Sequence, residues 1–595
     1  MSAVPGAEAR AGRFPGPSLI PKLTAIQRER GWLPREELVK LSRDERRPLY
    51  EIEGLISFYP HFRTEPPPKV ELTVCQDLSC WLHGGEERLA ELRSRYGDDV
   101  EVEFHEVSCL GRCDTAPAAA VNERPALAAE AAEMVERARG GPLPDAGPRR
   151  SGQRFANDPY EPDSRDYRLL RAVLAGDLAA ERVISELKEV GLRGMGGAGF
   201  PTGTKWELVA KQEAVPKYAI CNADESEPGT FKDRQIMAEQ PHLVLEGLLV
   251  GMAVTGAREG WVFIRHEYGP EEELLREELE RVRESGLLDD GELELDVFVS
   301  PGGYILGEES ALIECMEGHR GEPRNKPPFP GVAGLWGKPT LMNSVETLAH
   351  IPVILERGAD WWRAQGVNGG TGLKFFAVSG HVERPDVYCV PMGTTARELL
   401  ELAGGTTGGA ELLGFQPGGA SSNFLAPEHL DVPLDFGPLQ EAGSMLGSGA
   451  LVAIAEGTDL LAAATNVLRF FRNESCGKCV PCRVGSHKAH EMLSEALATG
   501  NGPADLDDRL TELEATLRLT SICGLGQVAL GPVLSVMGMQ RGATEARPHP
   551  RPARPPDRAS GSGEPGPGGA GDGPASGTDG PGSDGSASRP SQSDS

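Results

Sequence analysis

The chain has 595 residues, 39% hydrophobic and 25% charged, which is material for about three or four soluble domains. Its 89 acidic residues outnumber 60 basic ones, and the net charge of −29 argues against nucleic acid as a partner, since phosphate contacts need clustered Lys and Arg. No apolar run reaches the roughly 18 residues of a membrane span, and the Pro- and Gly-rich start lacks the apolar core of a secretory signal, so no direct membrane insertion and a cytoplasmic location are expected.

In chain order, residues 1–16 read as a disordered tail. Residues 17–138 begin with helical patterning (LTAIQRERGWLPREELVKL) and continue as strand, helix, strand, which predicts a small α/β domain. The Pro- and Gly-rich stretch 139–165 reads as a linker. From 166 to 350 strands and helices alternate with glycines between them, the pattern of an α/β domain whose loops surround a ligand. Short strands around one helix predict a β-grasp insert over 370–440. Residues 445–540 hold a helical segment, with cysteines lodged between two helices. The Pro, Gly, Ser and Asp of 541–595 cannot offset their ordering entropy and predict a second disordered tail. The fold class expected is multidomain α/β.

The 11 cysteines carry more information than the charge. Cys75 and Cys80, then Cys109 and Cys113, each follow an expected strand, where loops at one sheet end can gather four thiolates for a 2Fe–2S cluster. A four-cysteine zinc site is the competing reading, although zinc knuckles usually use closer C-x2-C pairs. Cys476, Cys479 and Cys482 stand at C-x2-C-x2-C spacing and Cys523 follows after a helix, a set that suits a 4Fe–4S cluster better than zinc. Cys221, Cys315 and Cys389 lie singly in apolar surroundings and are expected in the core.

The loop GLRGMGGAGFPTGTKW contains G-x-G-x-x-G at Gly194, Gly196 and Gly199, with Gly197 between them. The preceding VISELKEVGL reads as helix, so the classical dinucleotide fingerprint, which follows a strand, is not met. Glycines there still let backbone N–H groups approach a phosphate, with Lys205 adding positive charge, and a plain surface loop is the alternative.

Longer motifs carry a resemblance. GWLPREELVKL, ISFYPHF, CQDLSCWLHGG and SCLGRCDTAPAAAVN resemble the 24-kDa-type subunit of NADH dehydrogenases, and the resemblance implies a thioredoxin-like 2Fe–2S domain after a helical segment. CNADESEPGTFKDR, YILGEESALIECMEGHRGEPRNKPPFP and GLWGKPTLMNSVET, with the glycine loop and SCGKCVPCR, resemble the 51-kDa-type NADH-binding flavoprotein. That flavoprotein also serves NAD-linked formate dehydrogenases and NAD-reducing hydrogenases. The resemblance implies a Rossmann-like domain for FMN and NAD(H) and a C-terminal helical bundle with one 4Fe–4S cluster. Hydride would pass from NADH to FMN, and single electrons onward to an iron–sulfur electron-accepting subunit of a larger complex.

By the same resemblance, the glycine loop and Lys205 would hold the flavin phosphate, and Asn222, Asp224, Ser226, Tyr304, Gly307 and Asn343 would line the flavin. Phe200, Lys326 and Phe329 would contact the adenine half of NADH, and Glu227, Glu308 and Glu309 would stand near its nicotinamide and ribose. No residue is expected to act as a catalytic acid or base, because hydride transfer needs positioning above all. Met195, Leu306 and Ser344 depart from the residues common in the family. The competing functions are a soluble formate dehydrogenase or hydrogenase diaphorase, a scaffold without flavin, and a ferredoxin-like carrier without NADH.

Overall fold

The computed structural model describes residues 18–541, except 145, 146, 149, 151–154, 156, 162–164, 289, 290 and 501. The tails expected at 1–16 and beyond residue 541 lie outside the described residues, as does part of the linker expected at 139–165.

Three helices, Ile20–Arg30, Arg35–Asp44 and Leu49–Ile56, come first. Gly31 ends the first at φ 81, and Pro34 and Pro48 set the extended backbone from which the other two start. Their apolar residues, among them Leu23, Leu38 and Ile52, join one core with Phe263, Phe298 and Leu312 from farther along the chain.

Strands β1 (Val70–Cys75), β2 (Val102–Val107), β3 (Ala118–Val121) and β4 (Arg124–Leu127) form a sheet in the order β2-β1-β3-β4. β1 and β2 are parallel, with Cys75 opposite Val107, and β3 and β4 add as an antiparallel pair. This is the thioredoxin-like arrangement. β3 and β4 are four-residue strands, too short for a sequence pattern to announce, and the sequence reading stops at two strands here.

The second sheet holds β5 (Tyr218–Ala223), β6 (Glu259–Arg265), β7 (Glu294–Ser300) and β8 (Thr340–Ser344), all parallel, in the order β7-β6-β5-β8. The chain steps outward from β5 to β7 and then returns to the other side of β5 as β8. In open α/β sheets, ligands bind beyond the strand ends at such a reversal. β5 and β6 are apolar nearly throughout because helices cover both faces of the sheet. Gly247 lets the helix Pro241–Thr255 press onto the helix Val345–Arg357, since a Cβ there would sit 2.2 Å from the Leu348 carbonyl oxygen.

The third sheet, of β9 (Leu373–Gly380), β10 (Asp386–Pro391), β11 (Leu412–Gln416) and β12 (Ala450–Ala455), runs β10-β9-β12-β11 around the helix Ala396–Leu402. Thr395 and Glu398 start that helix with a reciprocal capping box. The segment 370–440 thus supplies three strands of the β-grasp sheet. The fourth comes from ALVAIA, a fully buried run inside the segment 445–540. Helices Leu460–Asn473, Val480–Thr499, Leu506–Thr520, Gly524–Val528 and Gly531–Gln540 complete the described chain.

A wholly buried ion cluster locks the second and third sheets together. Glu346 accepts from Lys374 Nζ at 2.8 and 3.0 Å and lies 2.9 Å from Lys232 Nζ. Lys232 also donates to Asp233 at 2.7 Å. Burial alone would raise the Glu346 carboxyl, but the two ammonium groups hold it well below its ordinary value.

Candidate active site

The glycine loop is a tight excursion between the helices Ala180–Glu189 and Thr202–Ala210, closed by a bridge between Arg193 and Pro201. Gly194 N–H donates to the Phe200 carbonyl at 2.9 Å, and Arg193 Nε to the Gly199 carbonyl at 2.7 Å. A helix precedes the loop, as its sequence predicts. Gly197 (φ 116) and Gly199 (φ 62) take left-handed backbone, and a Cβ on Gly196 would come within 2.9 Å of the Ser344 Cβ. The loop therefore abuts the C-terminal end of β8.

The sheet reversal brings most of the expected flavin residues to this point. Asn222 stands near the end of β5 and Asp224 just beyond it, while Asn343 is the penultimate residue of β8 beside them, with Cys221 opposite Asn343. Lys205 Nζ donates to the Met342 carbonyl at 2.9 Å, and Asn222 Nδ2 to the Gly307 carbonyl at 3.0 Å. Asp224 accepts from the Ser226 and Ser300 hydroxyls, the latter at 3.2 Å. Burial pushes the Asp224 carboxyl up to about 6, although Arg265 opposes it. Trp206 Nε1 donates to Asn343 Oδ1 at 3.0 Å, and the Asn343 amide nitrogen is buried with no partner among the described residues. A buried amide donor beside the glycine loop fits a polar, planar ligand such as a flavin.

The expected NADH contacts divide. Lys326 Nζ reaches Glu308 at 2.7 Å and Glu309 at 3.0 Å. The second oxygen of Glu308 caps the helix Glu309–Met316 through Ser310 N and Ala311 N. Burial and Lys326 together lower the Lys205 ammonium against the pull of Glu309, so these three charges share one field. Phe200 and Phe329 present exposed rings, each 39% accessible. Glu227 accepts from Ser421 N–H of the β-grasp segment at 2.7 Å, and after burial its carboxylate is the main charge that raises the neighbouring Tyr304 hydroxyl. Among the departures, Met195 is buried and bound through its N–H to Thr347 Oγ1 at 2.9 Å, Leu306 is fully buried, and the Ser344 hydroxyl also pairs with Thr347.

The first cysteine set converges. Cys75 ends β1, Cys80 lies in the helix Leu78–Leu82, and Cys109 and Cys113 flank the turn after β2. All four are buried and free of disulfides, with Cys109 Sγ 3.6 Å from Cys113 Sγ. Backbone N–H groups of Gly111 and Ala118 point at Cys109 and Cys80 at 3.3 and 3.4 Å. Thiol contacts from Cys113 and Cys75, and behind them the Arg265 guanidinium, draw Cys109 well below its ordinary pKa. Four buried thiols with N–H donors fit a 2Fe–2S cluster.

The second set also converges. Cys476, Cys479, Cys482 and Cys523 line one small cleft with Ile305, Pro323 and Leu525. Cys476 and Cys479 lie in the loop before the helix Val480–Thr499, Cys482 in its first turn, and Cys523 at the N-cap of Gly524–Val528. Burial pushes Cys482 up to about 11 and Cys523 up to about 12, so ordinary thiol ionisation is suppressed unless a metal centre takes the charge. The short turn Tyr304–Gly307 links this cleft to the end of β5: Ile305 lines the cleft, and the Gly307 carbonyl accepts from Asn222. Tyr304 packs edge-on against Phe470 at 4.8 Å.

Cys221 and Cys315 are fully buried, whereas Cys389, on the edge strand β10, is only partly so. Sequence reasoning missed a set of buried charges between the thioredoxin-like and flavin-side sheets. Arg112 forms a two-pronged pair with Glu271, at 3.1 Å each, and Arg234 donates to Asp114 at 2.8 Å. Arg265 donates to the Cys109 and Glu225 carbonyls. Only Glu225 had a signal, as the unassigned member of D-E-S-E between residues already singled out.

Models of the Nuo51 FMN-binding domain, the thioredoxin-like [2Fe-2S] ferredoxin, the NADH-ubiquinone oxidoreductase-F iron-sulfur binding region and the SLBB domain match residues 187–353, 13–137, 462–547 and 375–422. The NADH-quinone oxidoreductase F-subunit of Mycobacterium tuberculosis (strain H37Rv) is 42% identical over 381 residues, which span 62% of this chain and 85% of the relative. The chain belongs to the family of NADH-quinone oxidoreductase F-subunits. The Escherichia coli K12 member is 42% identical over 350 residues, 57% of this chain and 78% of its own. A crystal structure of NAD+-reducing [NiFe]-hydrogenase in the H2-reduced state superposes with a TM-score of 0.78 at 30% identity, covering 89% of this chain and 93% of that one. The two quinone-oxidoreductase relatives align over less of the chain than the hydrogenase structure does. No helix among the described residues is long and apolar enough to cross a membrane.

Proposed function

We propose that the chain is an NADH-oxidising iron–sulfur flavoprotein subunit that feeds a partner iron–sulfur subunit, as in NADH-quinone oxidoreductase. The observation that carries the reading is the gathering of the glycine loop, the ends of β5 and β8 and the turn Tyr304–Gly307 at one sheet reversal, together with two convergent four-cysteine sets. When bound, FMN accepts hydride from NADH and releases single electrons, and cysteine-held clusters carry one electron each.

The chain's own residues bind and orient. Gly196, Gly197 and Gly199 would offer backbone N–H groups to the flavin phosphate, with Lys205 near them, while Gly194 closes the loop through its bond to the Phe200 carbonyl. Asn222, Asp224, Ser226, Gly307 and Asn343 would line the flavin, with Tyr304 between it and the cleft of Cys476, Cys479, Cys482 and Cys523. Phe200 and Phe329 offer stacking faces to adenine, and Lys326, held by Glu308 and Glu309, offers a donor to the dinucleotide. Glu227, bound to Ser421 N–H of the β-grasp segment, would set the charge beside Tyr304. Cys75, Cys80, Cys109 and Cys113 hold the 2Fe–2S cluster. We read 17–138, 166–350, 370–440 and 445–540 as the corresponding domains, in a cytoplasmic chain whose eight ligand thiols need a reducing compartment.

Purified chain supplied with FMN is expected to reduce ferricyanide with NADH, lose flavin absorbance on adding NADH, and give two cluster signals by EPR. No flavin uptake, no turnover and no cluster signals would overturn the reading. A diaphorase subunit of a soluble hydrogenase or formate dehydrogenase is the second reading, favoured by the hydrogenase match, which extends over 89% of the chain. Co-purification from the source cell separates the two: membrane-arm subunits support the first, and a nickel or molybdenum subunit the second.

A further inference from the structure

The contact between the thioredoxin-like and flavin-side sheets contains one charge that differs from its neighbours. Arg112 and Arg234 each sit against a buried carboxylate, Glu271 and Asp114. Arg265, the last residue of β6, is 3% exposed, and its partner Glu267 has a side chain 22% exposed. Its guanidinium reaches both modules: Nη2 donates to the Cys109 carbonyl at 2.7 Å, and Nη1 to the Glu225 carbonyl at 2.6 Å. Nε and Nη2 hold Glu267 at 3.0 and 2.8 Å.

The loop that Arg265 grips has little freedom. Gly111 lies between Cys109 and Cys113 at φ 67, and a Cβ there would sit 2.3 Å from the Tyr268 hydroxyl. Tyr268 donates to the Glu225 carboxylate at 3.1 Å, and Arg265 lies 5.0 Å over its ring. Tyr268 and Arg265 thus clamp the Cys109–Cys113 turn against the acidic loop after β5.

We propose that Arg265 is a positioning residue that fixes the 2Fe–2S loop against the flavin-side loop and raises the midpoint potential of that cluster. The proposal rests on the reading of Cys75, Cys80, Cys109 and Cys113 as its ligands. Reduction adds one electron, and so one negative charge, to a centre already surrounded by four thiolates. A guanidinium fixed against the Cys109 peptide lowers the cost of that charge. Glu267 opposes it incompletely, because solvent screens the partly exposed carboxylate more than the buried guanidinium.

The test is an EPR-monitored redox titration of the full chain in the wild type, Arg265→Met, Arg265→Lys and Glu267→Gln, following both clusters. R265M is expected to make reduction of the 2Fe–2S cluster about tenfold less favourable, a fall of ~59 mV for a one-electron couple. R265K, which keeps the charge, is expected to restore most of that shift, and E267Q to move the midpoint upward. The 4Fe–4S midpoint should stay fixed in all three. A 2Fe–2S midpoint at the wild-type value in R265M or in E267Q overturns the proposal. If R265M loses the cluster, the sign of the E267Q shift decides. A wild-type chain with no 2Fe–2S signal overturns the ligand reading and this proposal with it, whereas a signal present and unmoved overturns the proposal alone.

Discussion

Gly199 shows how much the proposed flavin crevice asks of single residues. At φ 62 it holds the left-handed backbone that turns the loop toward the helix Thr202–Ala210, and a Cβ there would meet the Phe436 ring at 2.6 Å. The Arg193 guanidinium lies 4.3 Å over that same ring and is hydrogen-bonded to the Gly199 carbonyl, so the ring has little room to retreat. Gly199→Ala therefore combines backbone strain of about 1–3 kcal/mol with a steric conflict, all of it local to the loop. At 1.4 kcal/mol per decade, FMN affinity should fall about tenfold or more while the far-ultraviolet circular dichroism stays as in the wild type. Flavin fluorescence titration reads this directly, and unchanged affinity would remove the loop from the flavin phosphate. The cluster ligands make a matching prediction. Cys523→Ser should abolish the 4Fe–4S EPR signal and leave the 2Fe–2S signal in place, and loss of both or neither would refute the division into two sets.

At the scale of elements, the helix Pro241–Thr255 carries a buried carboxylate that serves the fold alone. Glu246 is 1% exposed, accepts from Tyr160 OH at 2.6 Å, and receives Leu169 N and Leu170 N at 3.2 and 3.3 Å, which anchors the helix Arg168–Leu174. Burial outweighs these bonds and pushes its carboxyl from the ordinary 4.5 up to about 7. The folded state therefore keeps a proton that the unfolded chain has released, and stability falls as pH rises from 4.5 through 7. The penalty reaches about 3 kcal/mol above that window and vanishes below it. Glu246→Gln keeps the shape and avoids the ionisation. It should match the wild type in thermal unfolding near pH 5 and gain on it at pH 8. Equal differences at both values would show that the carboxyl is not shifted. Elements like this one were partly legible in the sequence. Cysteine spacing announced both ligand sets because a cluster constrains residues close in the chain, and the alternation of strands and helices announced an α/β domain over 166–350 without its individual strands. The four-residue strands β3 and β4 gave no period, and ALVAIA could not be told from buried helix by periodicity.

At the scale of the whole molecule, what holds the modules together is written in no local pattern. Arg112 and Glu271 are 159 residues apart, and Arg265 and Cys109 are 156 apart, so neither pairing leaves a mark on its own neighbourhood in the chain. Both belong to one seam, where the turn after β2 rests on β6 and the helix Gly269–Glu284. Elsewhere along it, Ser79 meets Ser379 of β9 at 2.9 Å, and Asn466 Nδ2 donates to the Gln76 carbonyl at 3.0 Å. The thioredoxin-like module is thus bound to the other two sheets and to the cluster helices by polar contacts that only the finished fold creates. A buried ion pair of this kind specifies a geometry more than it adds stability, because removing charges from water offsets much of their attraction. Arg112→Met alone leaves the Glu271 carboxylate, 0% exposed, without its counter-ion and should cost about 3–5 kcal/mol. Replacing both, with Arg112→Met and Glu271→Met, should return most of that loss. A double-mutant cycle by chemical denaturation, with limited proteolysis reporting release of the N-terminal module, measures the coupling. If the single variant unfolds as the wild type does, the seam is held by its apolar contacts and the charges are incidental. If the double variant is as unstable as the single one, the loss comes from packing around residue 112 and not from an orphaned charge.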